Sequence, residues 1–180
     1  MKKAGILIAL LLALTLVPGC VTTKGEGTPA QPVTTLDRIA QSGQLVVGTA
    51  GSMPPMNMTT KGGDVIGLEP DMANQMAAAM GVRAVFKTMP FAELLPALEA
   101  GKVDMVLSSM TITGKRNMKV AFVGPYFISG KTFLTTEKWA AAAKEPEEVN
   151  SPSTKLTALR GSTSQEFVEK VFPKATLLLA

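Results

Sequence analysis

From Gln44 onward, short apolar runs rich in β-branched residues alternate with stretches whose apolar residues recur at helical spacing, and this alternation narrows the fold more than any other feature. Gln44 to Thr49 (Q-L-V-V-G-T) reads as a buried strand, after a short helical segment at Leu36 to Gln41. The loop Ala50 to Pro55 follows, and a second strand-like piece lies near Val65. Pro70 suits the first turn of a helix that carries Met72, Met76 and Met80 at spacing four and that Gly81 closes. That methionine stripe reads as core packing rather than a thioether metal site, because helical spacing toward a sheet accounts for it. Arg83 to Thr88 is the next strand, a helix through Leu94, Leu95 and Leu98 ends at Gly101, and Val103 to Leu107 is a further strand. Such alternation predicts an α/β fold with a mostly parallel sheet covered on both faces, and ligands in such sheets sit at the carboxyl ends of strands. Two of those ends are Ala50 to Pro55 and Ser108 to Arg116.

Farther on, Ala140 to Pro152 reads as a surface excursion, and Lys155 to Arg160 resumes as a strand. Gly161-Ser162-Thr163 makes a turn into a helix at Gln165 to Val171, and Ala175 to Ala180 is a last apolar strand.

Several chemistries are excluded by what the chain lacks. There is no His, and Cys20 is the only Cys, so Ser-His-Asp and Cys-His catalysis, His- or Cys-based zinc sites and an internal disulfide are out. No cofactor or metal is expected. Eighteen Lys and Arg against fourteen Asp and Glu give a net charge of +4, but the basic residues are scattered singly among acids, which argues against nucleic-acid binding.

The start of the chain has the shape of an address. Lys2 and Lys3 precede an apolar or small stretch from Ala4 to Val17, too short for a permanent membrane span of roughly 20 residues. It ends Leu16-Val17-Pro18-Gly19-Cys20, which resembles the lipobox of bacterial lipoproteins, with Pro18 as a departure. Residues 1–19 are therefore expected to be a lipoprotein signal peptide and Cys20 the lipidated residue, the alternative being an incidental thiol beside an ordinary cleavage site. Residues 20–35, rich in Thr, Gly and Pro, read as a flexible tether.

The segment Ser108 to Arg116 concentrates hydroxyls and one guanidinium after a buried strand. Thr113 is a suitable N-cap for a short helix at 114–119, whose amides and dipole add to the positive potential near Arg116. An Arg fork meets both oxygens of a carboxylate, and Ser109 and Thr111 offer acceptors to an ammonium. The plainer reading stands beside it: Thr113 caps a helix and Arg116 pairs with an acid such as Asp71.

The stretches L-V-V-G-T (45–49), P-P (54–55), G-L-E-P-D-M-A (67–73), L-L-P-A-L-E-A-G-K-V-D (94–104), M-T-I-T-G-K-R (110–116), V-G-P-Y-F-I-S-G (123–130) and G-S-T (161–163) resemble the bacterial extracellular solute-binding proteins of family 3, the periplasmic amino-acid receptors of ABC importers. The resemblance implies the type II periplasmic-binding-protein fold, two α/β lobes closing like a hinge, with lobe one at 36–128 nearly complete and the first crossover, near Ile128 to Leu134, opening a partial lobe two at 129–180. The family continues beyond the equivalent of Ala180, so the chain is expected to be truncated. By resemblance, Arg116 holds an α-carboxylate with the Thr111 and Thr163 amides, Ser109 and Thr111 take the α-ammonium, and Ser108 and Ser162 belong to the same two loops. Met53 and Phe91 fall where the family lines the ligand side chain; each reads equally as a core residue. Ala50 stands where receptors of basic amino acids carry an acid, and Met53 replaces a common stacking aromatic, so a neutral ligand is expected. The expected partners are an ABC transporter permease and a membrane reached through the lipid anchor. An alternative within the same fold resembles cyclohexadienyl dehydratase, an enzyme that needs an acid or base beside the carboxylate clamp. By that resemblance the acid falls beyond Ala180 or is Glu166 or Glu169, which read equally as solvated residues of a helix. A sensory module of a receptor kinase would need a downstream span and signalling domain.

Overall fold

The computed structural model describes residues 33–180, so the expected signal peptide, Cys20 and all but the end of the tether lie outside the described residues. The first described element is helix α1 (Thr35–Ser42), capped by the Thr34 hydroxyl, which accepts the Asp37 amide. Then come β1 (Gln44–Thr49), the short strands β2 (Ser52–Met53), β3 (Asn57–Thr59) and β4 (Val65–Ile66), helix α2 (Leu68–Ala79) and β5 (Arg83–Thr88). A 3-10 turn at Phe91–Glu93 leads into α3 (Leu94–Glu99), followed by β6 (Met105–Val106) and α4 (Gly114–Asn117). The remaining elements are α5 (Lys138–Ala142), α6 (Pro146–Val149), β7 (Lys155–Ala158), α7 (Thr163–Val171) and β8 (Thr176–Leu179).

The main sheet is parallel, with order β5-β1-β6, and pairs Gln44 with Arg83 through Thr49 with Thr88 on one side and Val47 with Met105 on the other. Because β1 is central, both of its faces are covered. Leu45 and Val47 meet Ile39 of α1 and Ala73 and Ala77 of α2 in one buried cluster. On the other face a side chain at Gly48 would come within 3.3 Å of both Leu94 Cδ2 and Val103 Cγ2, so glycine is what lets α3 approach β1. β2, β3 and β4 form a small antiparallel sheet, and β7 and β8 a parallel pair under α7, where Val168, Phe172 and Ala158 are buried. Phe133, Phe167 and Phe172 pack together there, Phe133 meeting Phe172 edge-on at 5.4 Å.

Several expectations need correction. The loop read at 50–55 contains strand β2. The strand expected over 103–107 is only two residues long as a regular element, although the amides of Asp104 and Leu107 extend its pairing to Val46 and Gly48. In the methionine stripe, Met72 and Met76 pack against the core but Met80, at the end of α2, is 42% exposed. The buried positions of α2 are Glu69, Pro70, Ala73 and Ala77, because the small alanines let the helix lie close on the sheet. The crossover expected at 128–134 forms no strand: Ile128 and Leu134 are exposed, and no neighbouring strand among the described residues takes up their backbone groups. The excursion at 140–152 contains α5 and α6, neither with a buried residue.

Candidate ligand-binding cleft

A cavity of about 960 Å³ opens beside the carboxyl ends of the main-sheet strands, bounded by β2, the start of the 3-10 turn, the loop after β6, the segment 131–140, β7 and the start of α7. That volume sits within the range of small-molecule sites, roughly 300–1,000 Å³. Six of the eight expected ligand residues line it: Met53, Phe91, Ser109, Thr111, Ser162 and Thr163. Two do not. Ser108 is fully buried below the cleft, its Oγ accepting the Ala50 amide at 2.9 Å, and so it holds the ends of β1 and β6 together. Arg116 lies behind Thr111.

The placement of Arg116 follows from the local sequence. Thr113 Oγ1 accepts the Arg116 amide at 3.2 Å, as expected of an N-cap, and α4 starts at Gly114. The guanidinium does not pair with Asp71. It donates from Nη1 to the Thr111 carbonyl at 2.8 Å and from Nη2 to the Gly161 carbonyl at 3.0 Å, and its carbon stands 5.8 Å from the centre of the Phe91 ring. Two of five donors are thus taken, and the rest stay available. Burial lowers the Arg116 pKa, a shift partly countered by the charge of Glu166, but a guanidinium stays protonated. Through the two carbonyls it ties the loop after β6 to the turn before α7.

Around it are free backbone donors. The Thr111 amide has no hydrogen-bond partner among the described residues, and Thr163, as the first residue of α7, has no intrahelical acceptor for its amide. The Thr111 and Thr163 hydroxyls lie 3.3 Å apart, and Lys131 Nζ donates to Thr163 Oγ1 at 3.0 Å. Ser162 Oγ caps α7 by accepting the Gln165 amide at 3.2 Å. The arrangement supplies cations and free amides to an anion, and the Phe91 and Met53 side chains as apolar wall.

Sequence reasoning assigned no role to the group at the base of this cleft. Glu69 is fully buried, and among the described residues no cation lies within ion-pair range. Its Oε1 accepts the Ser109 amide at 2.6 Å, the Ser109 hydroxyl at 2.9 Å and the Tyr126 hydroxyl at 2.6 Å, while Oε2 accepts Asn57 Nδ2 at 2.5 Å. Ser109 has φ of +48°, unusual for a residue with a side chain, and the two bonds to Glu69 hold it there. Glu69 and Tyr126 both sit in family-like stretches, G-L-E-P-D-M-A and V-G-P-Y-F-I-S-G, and Lys131 directly follows the second; that adjacency was the available signal.

Residues 45–174 match the model of the bacterial extracellular solute-binding proteins, family 3. The L-arginine-binding protein of Pseudomonas aeruginosa is 30% identical over 141 residues, covering 78% of this chain and 53% of that protein. Cyclohexadienyl dehydratase of the same species is 28% identical over 144 residues, covering 80% and 54%. Among solved structures, an ancestral amino acid-binding protein described as a precursor of cyclohexadienyl dehydratase superimposes with a TM-score of 0.77 at 35% identity, over 82% of this chain and 65% of that one. The chain spans about half the length of these two curated relatives.

Proposed function

The chain belongs to the bacterial extracellular solute-binding proteins, family 3, and from that premise we propose that it binds a free α-amino acid and presents it to an ABC-type permease, from outside the cytoplasm. The observation that carries this reading is the pair of free amides of Thr111 and Thr163 at one edge of the cavity, with the Arg116 guanidinium directly behind Thr111. A carboxylate there meets backbone donors at a helix start and the remaining guanidinium N–H groups. Ser109 and Thr111 oxygens stand beside it for the α-ammonium, and Met53 and Phe91 form the wall for the side chain. Tethering through a lipidated Cys20, and division into lobes near residue 128, belong to the same proposal.

The relatives include both receptors and a dehydratase. Elimination chemistry needs a proton donor or acceptor beside the carboxylate clamp. Neither Glu166 nor Glu169 lines the cavity, and Glu169 accepts Gln165 Nε2 at 2.9 Å, so these two acids lend the enzyme reading no support; the carboxylate that does line the cavity is Glu137.

Calorimetric titration with the twenty amino acids tests the proposal: at least one gives saturable heat, and Arg116→Ala weakens its binding by about 2–4 kcal/mol. Absence of heat with every amino acid, or equal affinity in the variant, refutes it. Conversion of prephenate or arogenate to an aromatic product would decide for the enzyme.

A further inference from the structure

We propose that Lys131 makes this cleft selective for an amino acid with an acidic side chain. The inference rests on the amino-acid-binding reading above and narrows it. Lys131 reaches the cavity from the irregular segment after Gly130, and its Nζ is placed by Thr163 Oγ1 at 3.0 Å, beside the Thr111 hydroxyl. One of its three N–H donors is used in that bond, and two are left for a ligand.

The charge inventory of the site gives the lysine its meaning. The ionisable side chains lining the cavity are Lys131, Lys155 and Glu137, and Arg116 stands directly behind Thr111. Among the described residues no carboxylate lies within 4.0 Å of either cavity lysine. An α-carboxylate balances Arg116, and the Glu69 carboxylate beneath Ser109 offsets the α-ammonium, so neither main-chain charge of the ligand is left to match Lys131. A ligand with one carboxylate therefore leaves Lys131 unmatched as the cleft loses water, and one with a cationic side chain is repelled. A second carboxylate accepts from the free ammonium donors and removes the imbalance. Ala50 offers no acid that would reverse this preference. A neutral ligand was expected from Ala50 and Met53; Lys131 lies outside those motif positions and turns the expectation toward an anion.

The test is calorimetry of the full 180-residue chain at low salt with L-glutamate, L-aspartate, L-glutamine, L-leucine and L-arginine, repeated on Lys131→Gln, Lys131→Arg and Lys131→Glu. Glutamate or aspartate binds at least tenfold tighter than glutamine, Lys131→Gln brings that ratio close to one, Lys131→Arg retains it and Lys131→Glu reverses it toward arginine. Glutamine, leucine or arginine binding as tightly as the acids, or an acid preference that survives Lys131→Gln, overturns the proposal and leaves amino-acid binding standing. No heat from any of the five with the parent chain, while another amino acid binds, overturns the selectivity alone. No heat from any amino acid overturns both.

Discussion

The Tyr126 hydroxyl donates to the buried carboxylate of Glu69 at 2.6 Å, across 57 residues of chain, and so fixes the irregular segment that follows α4 to the base of the cleft. The same Glu69 oxygen accepts both donors of Ser109, which puts the cleft loop and the irregular segment around Tyr126 under one group.

Replacing that carboxylate therefore damages more than one contact. Glu69→Gln substitutes an amide donor into a ring of donors, and it lowers unfolding free energy by about 2–3 kcal/mol, the scale of charge-assisted hydrogen bonds at a buried site. Urea denaturation measures it. A loss under about 0.5 kcal/mol would mean that the four bonds are not made in solution.

Tyr126 is the sole tyrosine, so tyrosinate absorbance reports on it alone. Burial first, then the hydrogen bond to Glu69 and its charge, raise its pKa well above the ordinary 10.0. A raised folded value means that the neutral form is favoured by folding. The associated stability is complete below the unfolded value near 10 and is lost as pH climbs from there through the folded value. The native chain titrates later than the urea-unfolded chain, and Tyr126→Phe removes this part of the alkaline destabilisation. Coincident native and unfolded titrations would contradict it.

Gly67 precedes α2 with φ of +127°, and a Cβ there would lie 2.5 Å from the Met56 carbonyl oxygen and 2.7 Å from that of Pro55. Gly67→Ala combines backbone strain with these contacts and destabilises by about 3 kcal/mol. Thermal unfolding of the variant gives the value, and an unchanged midpoint would be incompatible with the turn described.

Asp104 is nearly fully buried; it pairs with Arg38 and accepts the Val46 amide at 2.8 Å. Arg38 is largely exposed, so the two ends of the pair are unequal. Asp104→Ala strands a strand amide and costs about 2 kcal/mol, whereas Arg38→Ala costs under about 1 kcal/mol. Equal losses in a denaturant comparison would show that the ion pair, not the amide, dominates.

The sequence by itself determined the order of the main-sheet strands and of the helices packed on them. β1 matches residues 44–49 because a central parallel strand is buried on both faces and reads as a mostly apolar run, and Thr113 caps its helix because capping is a matter of neighbouring residues. It also placed six of the eight expected residues on one cavity. Only the tertiary structure decided that Ser108 is a buried brace, that Arg116 is already engaged by the Thr111 and Gly161 carbonyls, and that Glu69 and Lys131 belong to the cleft. Those facts depend on pairs 32, 40, 45 and 58 residues apart. Periodicity reports which face of an element is buried; what a buried polar group meets across such a separation is set by how the elements pack.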